Sequence, residues 1–225
     1  VVQFYVQPAR DIEVVVHGDD FLIVANQNSL NWLRDRMSEQ YELKYEDIGP
    51  EPNRSKELNI INRVIRWSDS GLEYEADQRH AEALINGMEV ELGKAVTTPG
   101  TNDLKDEEAE EVIELNSTEA AVFRSLCARL NFLAQDRSEV QFASKCISSG
   151  MAKPNTKCWS KLKRVARYLK SAPRIVQRFP WARIDDKVMG YADSDWAGDR
   201  VTAKSTSGGV LMWGPHHLSL IHISE

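Results

Sequence analysis

The stretch IEVVVHGDDFLIVA, residues 12–25, sets the first structural expectation. Apart from Glu13, its first and last five residues form apolar, mostly β-branched runs, and they flank a polar segment, which is typical of a β-hairpin with a tight turn. If Gly18 and Asp19 are the central pair, glycine occupies the position at which a type II′ turn requires a positive φ. The stretch therefore predicts a hairpin with Asp19 and Asp20 at its apex.

Adjacent carboxylates at such an apex repel one another, and a divalent cation would remove the repulsion. Two-metal nucleotidyl transfer uses carboxylates of this kind to hold ions about 3.5–4 Å apart. The alternative is a solvated turn, because aspartate favours turns for local reasons. The dipeptide Asp19-Asp20 alone leaves both interpretations open.

A second group of carboxylates lies in YADSDWAGD, residues 191–199. Asp193 ends a predicted strand and begins an Asp-x-Asp pattern, which again indicates a metal site. The alternative is an Asx-type turn beside a packed Trp196. Spacing does not separate the two.

Outward from the hairpin, periodicity predicts alternating helices and strands. Helices are expected at about 30–37, 79–92, 117–134, 139–151 and 158–170, and extended segments at about 41–45, 57–67, 72–76, 188–193 and 206–213. Asn28 or Ser29 is expected to cap the first helix, and Gly93 to end the second.

Bulk composition limits the class of protein. The 225 residues are 42% hydrophobic and 28% charged, and no apolar run is long enough to cross a bilayer, so we expect no membrane span. Cys127, Cys146 and Cys158 share no metal-binding spacing and predict neither a disulfide framework nor a zinc site, as in a reducing compartment. The N-terminal residues show no signal-peptide pattern, and we interpret Val1 as a cut end.

Charge is distributed unevenly along the chain. Residues 1–121 carry 11 basic and 26 acidic side chains, a net charge of −15, whereas residues 122–225 carry 17 and 8, a net charge of +9. A basic half joined to a carboxylate-rich half is what a nucleic-acid-handling protein would show, although basic surfaces are often merely solvated.

The most basic element is the predicted helix near residues 157–170, which contains six cations and no acid. The cations are Lys157, Lys161, Lys163, Arg164, Arg167 and Lys170. Opposite them runs an apolar stripe of Trp159, Leu162, Val165, Ala166 and Leu169. Such a face can contact several phosphates at once, and we favour that interpretation over a solvated helix face.

The order of these motifs resembles the Pol polyprotein of copia-type LTR retrotransposons, in its reverse transcriptase and RNase H region. VVVHGDDFLIVA, residues 14–25, is similar to the palm hairpin. ELNIINRVIRW at 57–67 and GLEYEADQRHAEALI at 71–85 resemble the strands and helix that follow it, and KAVTTPG at 94–100 resembles the family's Thr-Pro segment.

The C-terminal half continues the resemblance. Residues 121–155 and 159–172 are similar to the helical region that precedes RNase H. GYADSDWAGDRVTAKSTSGGVLMWG, residues 190–214, resembles the opening of the RNase H domain and is the most specific match. The resemblance covers nearly all of residues 1–217.

The resemblance implies an α+β fold, a partial right-hand polymerase with palm end, thumb and connection, followed by the start of an RNase H-like α/β domain. The implied domains are a palm end and thumb at 1–96, a linker at 97–116, a helical connection at 117–183 and an RNase H start at 184–217. Residues 218–225 resemble the translation of a sequencing adapter, and no function is expected of them.

By resemblance, Asp19 is a polymerase metal ligand, Asp20 is its neighbour in the same site, and Asp193 is the first RNase H carboxylate, all acting with Mg²⁺ in two-metal sites. His17 and Gly18 replace the family's aromatic and variable residues before the aspartates. The first palm aspartate is expected upstream of Val1, and further RNase H carboxylates downstream. We therefore expect neither site to be complete in these residues.

In the intact polyprotein the implied reactions are RNA-directed DNA synthesis and removal of the RNA strand. The implied partners are an RNA template, a DNA primer, the RNA–DNA hybrid, dNTPs and the rest of the Pol polyprotein, with no membrane, in an intracellular setting of cytoplasmic particle and nucleus. One alternative is a non-catalytic or domesticated nucleic-acid-binding protein, whose binding would depend on salt but not on metal. Another is a decayed transposon without a stable product.

Overall fold

The computed structural model describes residues 2–88, 93–100, 112–183, 187–197 and 203–224. The chain forms two compact units, Val1–Trp67 and Ser68–Glu225. Each unit contains helices and antiparallel strands, as an α+β chain would. The division between the units falls at Trp67 and Ser68, away from the linker expected at 97–116.

The predicted hairpin is part of a three-stranded antiparallel sheet in the first unit. Its strands are β1 (Val2–Gln7), β2 (Ile12–His17) and β3 (Asp20–Val24), in the order β1-β2-β3. The register pairs His17 with Asp20 and leaves Gly18 and Asp19 as the turn residues, so the hairpin prediction is confirmed. Strand β1 was not predicted, because its sequence VQFYVQ breaks the apolar and polar alternation at its centre.

The turn has the conformation that its glycine indicated. Gly18 has a φ of 62°, whereas Asp19 does not have a positive φ. This combination fits a type II′ turn, in which the first central residue alone has a positive φ. A Cβ at Gly18 would meet no heavy atom within 4 Å, so the cost of a larger residue there arises from the backbone conformation.

Gly18→Val is expected to lower the free energy of unfolding by about 1 kcal/mol, because the left-handed region crowds a Cβ. Gly18→Asn is the matched control, since asparagine tolerates this region better. Denaturant unfolding of the whole chain measures both variants. Equal stabilities of the two would contradict the turn assignment, because no steric contact at this open position distinguishes them.

Helix α1 (Gln27–Ser38) begins earlier than expected. Its N-cap is Asn26, whose side-chain oxygen accepts a hydrogen bond from the amide of Ser29 at 3.0 Å. The prediction of Asn28 or Ser29 as the cap was wrong. Asn26, Asn28 and Ser29 are all residue types that favour the N-cap, and they all precede the first apolar residue, Leu30. The spacing of the apolar residues therefore does not indicate which of the three is the cap.

Residues 41–45 form no strand, which corrects the expectation of an extended segment there. Tyr41 and Tyr45 are exposed, and no strand in the described part of the chain pairs with this segment. Alternating apolar residues form a strand where a neighbouring strand accepts their backbone hydrogen bonds, and none does so here.

The extended run predicted at 57–67 folds back on itself. It forms a hairpin of β4 (Glu57–Ile60) and β5 (Arg63–Ser68). The turn residues, Ile61 and Asn62, have φ values of 50° and 60°, as in a type I′ turn. Isoleucine is unusual at a positive φ, so composition gave no sign of this turn.

Four helices of the second unit surround an apolar core. They are α2 (Arg79–Gly87), α3 (Ser117–Asp136), α4 (Gln141–Ser148) and α5 (Thr156–Ser171). All four predicted helices are present, although residues 89–92 of the second lie outside the described residues. The core contains fully buried side chains from every helix, among them Leu84, Phe123, Leu130, Ile147, Leu162 and Leu169.

Part of the predicted linker is packed against the core helices. Residues 101–111 lie outside the described residues, but Leu115 packs on the core, and its amide donates to the carbonyl of Pro154 at 3.0 Å. Asn116 caps α3 with a complete capping box. The end of the 97–116 segment is therefore an ordered connection to α3.

Strands complete the second unit in two groups. The first is β6 (Gly71–Glu75) paired with β7 (Val176–Pro180), and the second is β8 (Val188–Ser194), β9 (Thr206–Trp213) and β10 (His216–Ser224), in the order β10-β9-β8. Strands β6, β8 and β9 confirm predictions, whereas β7 and β10 were not predicted. No helix in the described ranges has both the length and the apolar character to cross a bilayer.

Candidate nucleic-acid interface and carboxylate sites

The first carboxylate pair lies at the apex of the β2–β3 hairpin. Asp19 is the second turn residue, and Asp20 opens β3 opposite His17. Both aspartates are exposed. Within the described ranges neither side chain has a hydrogen-bond or ion-pair partner, so solvent screens the repulsion between them.

Asp19 and Asp20 have the oxygen ligands that Mg²⁺ prefers. However, among the described residues no group of three or more His, Cys, Asp or Glu side chains is arranged to hold a metal ion. The hairpin thus presents the right kind of ligand in too small a number for a two-metal site.

The second carboxylate group lies where β8 meets β9. Asp193 is paired with Gly208 across the sheet, and its Oδ1 accepts a hydrogen bond from the amide of Ser194 at 2.9 Å. The Oδ1 of Asp195 accepts from the amide of Thr206 at 2.6 Å and so holds the two strand ends together. Each of these two carboxylates therefore accepts one backbone amide hydrogen bond, and Asp199 lies outside the described residues.

A cleft of about 380 Å³ opens beside these strand ends. Asp193, Asp195 and Thr206 line it together with Phe142 of α4. Lys145, also of α4, donates from its Nζ to the Oγ1 of Thr206 at 2.6 Å. The cleft therefore combines two carboxylates with a cation held next to one of its walls.

Helix α5 has the two faces that its sequence indicated. Leu162, Val165, Ala166 and Leu169 are fully buried in the core, and Trp159 packs against it. The N-terminus is capped by the preceding asparagine, whose side-chain oxygen accepts from an amide in the first turn at 3.0 Å. Because the apolar stripe faces the core, the six cations occupy the rest of the helix surface.

Two of the six cations contact the segment 94–98. The Nη2 of Arg164 donates to the Oγ1 of Thr98 at 3.0 Å, and the Nε of Arg167 donates to the carbonyl oxygen of Lys94 at 2.5 Å. The middle of the polar face is therefore covered by the chain itself.

The lysines of α5 flank the covered strip. Lys161 and Lys163 are exposed, and Lys157 and Lys170 are partly buried with contacts inside the chain. Since successive residues are about 100° apart around a helix, Lys161 and Lys163 lie on opposite flanks.

The flank of Lys161 is the one near the β8–β9 carboxylates. Burial raises the pKa of the Cys146 thiol, the charges of Lys145 and Lys161 lower it, and the charge of Asp195 raises it. Charge effects weaken with distance, so these groups all lie near one thiol. The charges of Lys145, Lys161 and Asp195 therefore all act on this one thiol.

Sequence reasoning missed the role of Lys145, which depends on a hydrogen bond to a residue 61 positions away. It also expected a packed Trp196 in the alternative interpretation of this motif, whereas Trp196 is 96% exposed. The hairpin aspartates belong to the first unit, and Asp193 and the six cations belong to the second.

No family model and no solved structure matches the chain. An uncharacterized mitochondrial protein of Arabidopsis thaliana is 26% identical over 92% of this chain and 80% of its own length. The retrovirus-related Pol polyproteins from transposons RE2 and RE1 of the same plant are 28% and 27% identical over 96% of this chain, which spans 14% of the length of each. The chain is therefore a homologue of one segment of the retrovirus-related Pol polyproteins of copia-type transposons.

Proposed function

We propose that the chain is a transposon Pol segment that works within an RNA-directed DNA polymerase with RNase H. The observation that carries this proposal is the similarity to two transposon Pol polyproteins along 96% of the chain. Under the proposal, Asp19 and Asp20 are Mg²⁺ ligands of the polymerase site, and Asp193 is the first carboxylate of the RNase H site.

The hairpin supports the polymerase role by its geometry. A tight turn fixes Asp19 and Asp20 next to each other, and their exposure leaves both accessible to further ligands and substrate. Mg²⁺, when bound, would supply charge neutralisation and activation of the attacking hydroxyl. Because the described residues bring no third carboxylate to the pair, the chain by itself is not expected to extend a primer.

Helix α5 supports contact with a nucleic-acid backbone. Its polar face carries cations but no asparagine or glutamine between 157 and 170, so it has no side chain suited to bidentate base contacts with adenine. The charge of Lys161, on one flank of the helix, and that of Asp195, which lines the carboxylate cleft, both act on the Cys146 thiol. We place the backbone of an RNA–DNA hybrid along this flank, which lets its strand approach Asp193.

Replacing Lys161 by alanine tests this placement, with Lys163→Ala as the matched control on the opposite flank. Binding of the whole chain to an RNA–DNA hybrid is measured from low to moderate salt. Lys161→Ala is expected to weaken binding and to reduce the slope of log affinity against log salt by about 0.7–0.9, the value for one lost phosphate contact. Lys163→Ala is expected to leave the slope unchanged.

Unchanged affinity and slope in both variants would show that the face is merely solvated. Equal losses in both would place the backbone across the whole face instead of along one flank. The further partners under this proposal are the RNA template, the DNA primer, dNTPs and the rest of the Pol polyprotein, acting in a cytoplasmic particle and in the nucleus.

A further inference from the structure

Residues 94–98 lie across the polar face of α5 and form what we term the α5 strap. Three hydrogen bonds hold it. Arg164 donates to the Thr98 hydroxyl, and Arg167 donates to the Lys94 carbonyl. The single hydroxyl hydrogen of Ser171 is shared between the carbonyl of Val96 at 2.7 Å and the carbonyl of Tyr168 at 2.8 Å. The acceptors thus come from every second strap residue, and the donors are spaced by three and four residues along one helix face.

The strap is an incomplete partner for the two arginines. Neither acceptor carries a charge, and the segment from 93 to 100 contains no acidic residue. The Nε of Arg164 is buried and has no hydrogen-bond partner among the described residues. A guanidinium binds most strongly to an anion that accepts from two of its nitrogens, as a phosphate does.

We infer that the α5 strap occupies the place of a nucleic-acid backbone and is displaced when an RNA–DNA hybrid binds. The inference rests on the proposed function. Displacement exchanges neutral acceptors for phosphate oxygens, which also offer an acceptor to the unpaired Nε of Arg164. The flanking Lys161 is exposed and can hold the hybrid before the strap moves.

In this arrangement the strap sets the strength of binding. While it is docked, nucleic acid reaches the exposed Lys161 and makes few phosphate contacts. Once it is displaced, Arg164 and Arg167 add their contacts, so the affinity depends on how firmly the strap is held.

The test uses the whole chain with Thr98→Val and Ser171→Ala combined. This variant removes two of the three strap hydrogen bonds and keeps both arginines. Its affinity for an RNA–DNA hybrid at fixed moderate salt is expected to rise by about three- to tenfold, since each lost bond contributes little individually. Thr97→Val is the matched control, because Thr97 is a neighbouring exposed threonine, and it should bind as the wild type does.

A second measurement follows the strap directly. Cleavage of the wild-type chain by trypsin after Lys94 should become faster when the hybrid is added, because a displaced strap fits a protease site more readily. Affinity equal to or below that of the wild type in the double variant, or cleavage after Lys94 that slows on binding, overturns the inference while leaving the proposed function intact. Absence of hybrid binding in the wild type and in the double variant overturns the proposed function and this inference with it.

Discussion

A complete Pol polyprotein that carries this chain is expected to lose primer extension by orders of magnitude when Asp19 is replaced by asparagine. Asparagine keeps the size and the hydrogen-bonding capacity of the side chain but removes the charge that a divalent ion needs. The missing charge weakens metal binding and the stabilisation of the transition state, but it does not contact the template. Template binding should therefore stay nearly unchanged.

Extension on a primed RNA template, measured over a range of Mg²⁺ concentrations, checks this result. Glu13→Gln is the matched control, because Glu13 is an exposed acid on β2 of the same hairpin and lies away from the turn. Extension at the wild-type rate by the Asp19→Asn variant would remove Asp19 from the catalytic site. Equal losses in both variants would point to the overall charge of the hairpin.

Leu162→Ala is expected to lower the free energy of unfolding by about 2–5 kcal/mol, which is the usual cost of removing a large side chain from a packed core. Leu162 is fully buried in the core of the four helices. Denaturant unfolding of the whole chain, followed by far-ultraviolet circular dichroism, measures the change.

Lys163→Ala is the control for this prediction, because it removes an exposed side chain at the adjacent position of the same helix. Its stability should stay within about 0.5 kcal/mol of the wild type. Similar stabilities of the Leu162 and Lys163 variants would contradict the packing of α5 against the core.

Local features of this fold were predictable from sequence because their causes are local. The β2–β3 turn follows from Gly18 between two β-branched runs, and the buried stripe of α5 follows from its helical period. Strand β7 was missed because it depends on a distant partner, β6. Strand β10 pairs with the adjacent β9, and it was missed because residues 218–225 were interpreted as the translation of a sequencing adapter. The Ile61-Asn62 turn was missed because its first residue is atypical of the conformation that it adopts.

In the candidate site, too, the local features were predictable and the long-range contacts were not. The residue types of the hairpin and of α5 were evident from the sequence, but their partners were not. Arg164 and Arg167 contact residues 66 and 73 positions away, so no spacing rule reveals that the chain covers them. The sequence shows which side chains the helix carries, but which of them are exposed depends on contacts with distant parts of the chain.

The anchoring of the chain on both sides of residues 101–111 has a consequence for sequence divergence. Before them the carbonyl of Val96 is held by Ser171, and after them the carbonyl of Ile113 accepts from the amide of Thr156 at 2.9 Å. Both attachments are to α5, and doubling the length of a connecting loop costs only about 0.6 kcal/mol. Insertions and deletions are therefore expected to accumulate between these anchors in related elements, while the length of α5 stays constant.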